Sequence, residues 1–210
     1  MAQARKYSFV NETCMMKNSS NIQIVAARLA LSMPFALASI RALAQTQLTD
    51  EASGLSIQLP AGYTVTKAPP RPRQDVVFTI RSEANRPVAK NRDGSLCGLA
   101  FSNATANASL SQEEINETVR KPEWRNVAKA TLETVFDVKR MDGITLNGIE
   151  GVAIQTAPKA NLTDHYVFMH MSILETPKGR TTLVCVTDKA NAQAALPLFE
   201  SFRAGVQPPR

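Results

Sequence analysis

The residues of this chain whose types and spacing could do chemistry are two histidines, two cysteines late in the sequence, and a strand in which a histidine sits between methionines. His165 and His170 are five apart on one predicted strand, so they point to opposite faces and cannot share a metal ion or a proton relay without a bulge. Met169-His170-Met171 is a soft donor set of the kind copper takes. The same alternation puts Met169 and Met171 on one side with Val167 and puts His170 on the other with Phe168, so one ion cannot collect all three. Core packing is the reading these residues receive, and no metal site is expected.

A cysteine nucleophile needs a histidine beside it and a third group to orient that histidine. Gly94-Ser95-Leu96-Cys97-Gly98 resembles a nucleophile elbow only superficially, because Leu96 stands where Gly-x-Ser-x-Gly places its nucleophile. The carboxylates Glu113 with Glu114, and Glu117 with Asp137, fall on predicted helices and read as solvated surface. No P-loop, dinucleotide glycine pattern, His-Glu-x-x-His helix or calcium loop is present. The expectation is a non-enzymatic chain with no catalytic residues and no cofactor; a hydrolase lacking a recognisable motif ranks third among the readings.

A cluster of charge is more suggestive. Between Lys67 and Arg92, seven cations (Lys67, Arg71, Arg73, Arg81, Arg86, Lys90, Arg92) face two acids, Asp75 and Glu83. Such a zone on loops and a strand end can meet anionic lipid headgroups, polysaccharide or an acidic protein; the bland alternative is that the charges keep loops solvated. Phe78 is the only aromatic among them, which makes single-stranded nucleic acid a poor match.

The rest of the basic excess is a matter of targeting. The net charge is +6, and residues 1–44 carry five cations (Arg5, Lys6, Lys17, Arg28, Arg41) and one acid (Glu12), leaving +2 for the remainder. A basic stretch, an apolar run from Leu29 to Ile40 and then Ala42-Leu43-Ala44 before Gln45 have the pattern of a secretory signal peptide. The run is too short to span a bilayer, although an uncleaved anchor or a surface helix is the competing interpretation. A presequence of 44 residues exceeds the usual length, so Met15 or Met16 is the suspected start. The expected mature chain is 45–210, a single domain without a transmembrane segment, placed in the periplasm or secreted. The full 210-residue sequence, 44% hydrophobic and 20% charged, has the content of an ordinary globular protein.

With Cys14 in the removed segment, Cys97 and Cys185 remain as a pair in an oxidising compartment, where a disulfide is favoured; two separate buried thiols are the alternative. Six Asn-x-Ser/Thr sequons occur, at Asn11, Asn18, Asn103, Asn107, Asn116 and Asn161, and they stay bare in a bacterial periplasm.

The elements that must position these residues follow from local pattern. Gly54 to Leu59 alternates, Pro60-Ala-Gly-Tyr63 turns the chain, and Thr64-Val-Thr66 completes an expected hairpin. Ala68 to Arg73 is too proline-rich for a regular ladder, and Val76 to Ile80 and Cys97 to Ser102 are strands separated by a polar loop. Ser111-Gln-Glu-Glu114 is a capping box, and Pro122 suits a first helical position. Trp124, Val127, Ala128, Thr131, Leu132, Val135 and Phe136 form one apolar-leaning helical stripe. Asn147-Gly148 between apolar runs is a hairpin signal. Tyr166 to Leu174 and Thr182 to Val186 are strands joined through Thr176 to Gly179, and Asp188 starts a last helix that Pro197 should kink or restart.

The class is α+β: a mostly antiparallel sheet of about six strands with a central and a C-terminal helix packed on it. The opening Gly54-Leu-Ser-Ile-Gln-Leu-Pro-Ala-Gly-Tyr63, the central helix, Asn147-Gly-Ile-Glu-Gly-Val-Ala153, the long strand pair and the closing Phe199-Glu-Ser-Phe202 helix together resemble the PsbP-like superfamily over about residues 52–204. The resemblance implies a sandwich fold and a role as an exported accessory or binding domain, and it supplies no catalytic constellation. The expected partner is therefore an unidentified protein or small apolar ligand, with an anionic envelope surface, lipid or polysaccharide, as the alternative.

Overall fold

The computed structural model describes residues 46–159 and 167–210. The expected signal segment, His165 and the sequons at Asn11, Asn18 and Asn161 lie outside the described residues.

Seven antiparallel strands form the main sheet, in the order β3 (Tyr63–Ala68), β4 (Val76–Ser82), β5 (Cys97–Asn103), β9 (Gly179–Asp188), β8 (Val167–Thr176), β7 (Ile149–Pro158), β6 (Phe136–Leu146). A second sheet joins β1 (Gln47–Thr49), β2 (Ser56–Gln58) and β10 (Val206–Gln207). The class is α+β as expected, with more strands than the six read from the sequence. The hairpin expected across Pro60 to Tyr63 is not one: β2 pairs with β1 and β10, whereas β3 pairs with β4. The turn residues were recognised correctly, but a turn fixes a change of direction and not the partner of the strand that follows.

The two faces of the main sheet are covered on opposite halves. On the first face, Val65, Phe78, Leu99 and Leu183 pack beneath the small sheet (Leu55, Ile57, Val206) and beneath α3 (Ala192–Ala204), whose Ala195, Phe199 and Phe202 point inward. On the second face, Val152, Ile154, Met171 and Ile173 pack with Trp124 and Leu132 of α2 (Pro122–Glu133), while α1 (Gln112–Arg120) lies on β7 and β8. Strand β8 is the overlap of the two covers. That is why eight of its ten residues are buried, the polar His170, Ser172, Glu175 and Thr176 among them.

Helix starts follow local chemistry. Ser111 and Glu114 form the expected capping box, and Pro122 opens α2. The stripe expected to run to Phe136 is shorter than its periodicity, because α2 ends at Glu133 and Phe136 begins β6; Val127 and Val135 are exposed. Pro197 lies inside an unbroken α3 on its exposed side, where the carbonyl it leaves free can be hydrated. That helix begins at Ala192 after Asn191, whose backbone N–H donates to Asp188 Oδ1 at 2.8 Å. Asn147 and Gly148 take positive φ (51° and 78°) in the tight β6–β7 turn. Asn116 clamps that hairpin to α1: its Nδ2 donates to Gly148 O at 2.9 Å and its Oδ1 accepts from Glu150 N–H at 3.0 Å. With its side chain so engaged and 4% exposure, this sequon is closed to modification in the folded state.

Cys97 and Cys185 are opposite residues of β5 and β9 and are joined by a disulfide at the centre of the first core. Neither sulfur is available as a thiolate.

Candidate functional site

The half of the second face that no helix covers among the described residues, over β4, β5 and β9, is a groove of about 410 Å³. Its floor is made of short side chains, Val77 and Thr79 on β4, Gly98 and Ala100 on β5, Thr182 and Val184 on β9. Gly98 is informative. Its φ is not in the left-handed region, and a Cβ built on it would meet nothing within 4 Å. Neither backbone nor packing demands glycine there, and in a strand interior glycine otherwise weakens the ladder and marks close approach of another group.

One wall is the segment expected to avoid a regular ladder. Arg71 and Gln74 exchange backbone hydrogen bonds (Arg71 N–H to Gln74 O, 3.1 Å; Gln74 N–H to Arg71 O, 2.8 Å) around Pro72 and Arg73. Arg73 has φ 65°. Proline followed by a positive φ is type II turn geometry, which ordinarily takes glycine at the second of these positions. Ser102 Oγ donates to Arg73 O at 2.6 Å, tying the turn to β5.

The other wall is the turn Asn91 to Ser95. Asp93 Oδ1 accepts from Ser95 N–H at 3.0 Å and from Ser95 Oγ at 2.5 Å, and Asn91 Nδ2 donates to Ser95 O at 3.0 Å. Arg81 Nη2 donates to Asp93 O at 2.8 Å, and Arg71 Nη2 stands 3.8 Å from Asp93 Oδ2. The two Ser95 donors, with Arg81 and Arg71 nearby, hold the Asp93 carboxyl below the usual range. Arg92 also lines the groove and makes no ion pair among the described residues. Arg71 and Arg92 line the groove, and Arg81 stands beside it on the Asp93 turn, which leaves a positive rim over an uncharged floor, an arrangement that concentrates anions.

The seven cations singled out in the sequence are thus divided. Arg71 and Arg92 line the groove, and Arg81 holds the Asp93 turn at its edge. Lys67 points to the opposite face, where it pairs with the buried Asp50. That bond and two from Ser53 lower the Asp50 pKa to about 2. Arg86 stands on a loop where its carbonyl accepts from Tyr63 Oη at 3.1 Å and Ser82 Oγ at 3.0 Å, and Lys90 is close to Asp188. Arg73 lines a neighbouring cavity of about 470 Å³ with Trp124 and Arg180. Sequence reasoning missed Gly98 and Asp93; the Asn91-x-Asp93-Gly94-Ser95 turn was the available signal for the second.

No family model and no curated protein matches this sequence. Among solved structures, the chain is similar to cyanobacterial PsbP from Synechocystis at 12% identity and TM-score 0.48, over 82% of this chain and 98% of that one. It is also similar to PA94 of Pseudomonas aeruginosa, a protein of unknown function, at 11% identity and TM-score 0.39, over 79% and 97% of the two chains. A Bacteroides thetaiotaomicron structure follows at 9% identity and TM-score 0.37, over 79% of this chain and 48% of that one. The first of these is a PsbP protein, the family whose element order the sequence resembles.

The remaining chemistry-bearing groups lie in the interior. His170 is opposite Cys185 across β8 and β9, 3% exposed, and stacked on Phe199 at 6.2 Å between ring centroids. Burial, with Arg203 adding to it, lowers its pKa to about 4. Its Nδ1 has no hydrogen-bond partner among the described residues. Met169 and Met171 point to the other face, as alternation requires. Among the described residues no three His, Cys, Asp or Glu side chains are grouped as metal ligands, and no helix is long and apolar enough to cross a membrane.

Proposed function

We propose that this chain is an exported accessory protein that binds an anionic ligand in the groove over β4, β5 and β9, without carrying out a reaction on it. The observation that carries the reading is Gly98, a glycine that neither backbone nor packing requires among the described residues, at the floor of a groove lined by Arg71 and Arg92 with Arg81 bound to the Asp93 turn at its edge. The buried Cys97–Cys185 bridge supports an oxidising compartment, periplasmic or secreted. Division of the seven cations between two faces disfavours a flat anionic surface contacted by the whole segment 67–92.

The test is calorimetric titration with a small dianionic sugar, digalacturonate, at low and at physiological salt. Binding is expected to weaken with salt and to disappear in Gly98→Val, which fills the floor with a residue that suits a strand, and in Arg71→Glu with Arg92→Glu, which inverts the rim. Salt-independent binding that persists in all these variants would overturn the site, and conversion of the sugar would overturn the non-enzymatic reading.

A further inference from the structure

A second cavity adjoins the groove beyond Ala100 and Thr182. Two residues further along the same face of β5 and of β9 stand Ser102 and Arg180, which line the second cavity. The turn between Arg71 and Gln74 divides its side chains between the two: Arg71 and Gln74 enter the first, and Arg73 the second. From Gly98 to Ser102 is four strand residues, about 13 Å. The second cavity has an apolar side, with Leu110 and Trp124, and a polar side where Arg73 and Arg180 outnumber Glu175. Glu175 Oε1 holds Arg180 Nε at 2.6 Å, which leaves Arg73 as the cation without an ion pair among the described residues. Cationic groups therefore stand in each of two adjoining cavities, which together make a trough along β5 and β9, with a tryptophan in the second.

We infer that the trough binds an extended anionic sugar chain, its acidic groups met by Arg71 and Arg92 at one end and by Arg73 at the other, with a ring of the chain on Trp124. This rests on the function proposed above and names the ligand class for the same groove. Charge complementarity selects an anion, and guanidinium groups engage carboxylates or phosphates through two parallel hydrogen bonds. Hydroxyls and amides, Thr79, Thr182, Gln74 and Asn107 among them, stand between the apolar side chains of the two cavities, and such groups both donate to and accept from sugar hydroxyls. An acidic peptide finds less here. Extended peptides are held by unpaired backbone at a sheet edge, whereas β4, β5 and β9 are interior strands whose backbone is paired on both sides. A bilayer surface is flat and does not reach a recessed floor. The strained turn accords with the reading: Arg73 occupies a backbone position suited to glycine, and its side chain is what glycine would lack.

Trp124 is the only tryptophan in the chain and lines the second cavity but not the first, so its emission distinguishes the two. The experiment is titration of the protein with digalacturonate and hexagalacturonate, followed by calorimetry and by tryptophan emission, with phosphatidylglycerol vesicles and poly-glutamate as separate probes. The hexamer should bind at least tenfold tighter than the dimer and shift the emission, while the dimer leaves the emission unchanged. Arg73→Ala, checked for an unchanged thermal midpoint, should bring the hexamer to the affinity of the dimer without altering the dimer, and Gly98→Val should remove both. Equal affinities with silent emission would overturn the trough and leave the groove standing. Binding of vesicles or poly-glutamate with neither sugar bound would overturn the sugar-chain assignment and leave an anionic site. Failure of all four probes would overturn the proposed function itself.

Discussion

His170 should make the fold acid-labile well above the range in which carboxylates titrate. In the unfolded chain its imidazole protonates near the ordinary 6.5, whereas in the folded protein burial depresses the pKa to about 4, with Arg203 opposing the charge more than Glu200 supports it. The unfolded state therefore binds the proton first, and stability falls as pH drops below about 6.5, levelling off below about 4. At 1.36 kcal/mol per pKa unit, the loss is about 1 kcal/mol by pH 5.5 and about 2 to 3 kcal/mol by pH 4.5. The assay is urea denaturation at pH 7.5, 5.5 and 4.5. Asp50 does not confound it: its pKa, lowered from 3.8 to about 2, withdraws stability only as pH falls below about 4. His170→Leu removes the titrating group together with the unpartnered Nδ1. That variant should be at least as stable as the parent at pH 4.5 and should show a nearly flat profile from pH 7.5 to 4.5. A parent protein with no loss down to pH 4.5, or a variant that loses as much as the parent, would refute the reasoning.

Asn116→Ala should lower unfolding free energy by about 2 to 4 kcal/mol, read by denaturant melts, because it strips the partners from Gly148 O and Glu150 N–H at once. Arg73→Gly relieves a left-handed position but loosens the unfolded chain, so stability should change by between zero and about 1 kcal/mol in the favourable direction, while hexagalacturonate affinity drops; a clear destabilisation would contradict the turn assignment. Reducing the Cys97–Cys185 bridge, which spans a sequence separation of 88 residues, should cost about 4 to 5 kcal/mol in the chain-entropy account. Because both cysteines are fully buried, reductant should act only on protein already opened by denaturant, and thiol labelling under native conditions would contradict this.

Elements governed by near neighbours were legible from residue order. The capping box at Ser111 and Glu114, Pro122 at the head of α2, the Asn147-Gly148 turn and the opposed faces of Met169 and His170 all depend on contacts within four residues or on strand parity. The α+β class, the cysteine pair and the mass of charge between Lys67 and Arg92 were visible for the same reason: composition and alternation are local properties. The readings that needed correction involve partners distant in sequence. The supposed hairpin after Gly54 divides between two sheets, because β2 finds β10 from the far end of the chain. The helical stripe stops at Glu133 because the next residues are drawn into β6 beside β7.

The candidate site belongs to the second kind. Sequence alone determined that the segment from Lys67 to Arg92 is basic, that its prolines keep the stretch before β4 out of a regular ladder, and that Gly98 sits in a strand. Only the tertiary structure decided which cations share a face: strand alternation and pairing send Lys67 to Asp50 on one side of the sheet and Arg81 to Asp93 at the groove on the other. It also decided that Gly98 lies under open space and that Arg71 and Arg73, two residues apart, enter neighbouring cavities. The physical reason is that a groove is the place where packing stops. Residue order encodes which side chains seek cover, but which half of a sheet face goes without it depends on where α1, α2 and α3 settle once the rest of the chain has competed for the same surface.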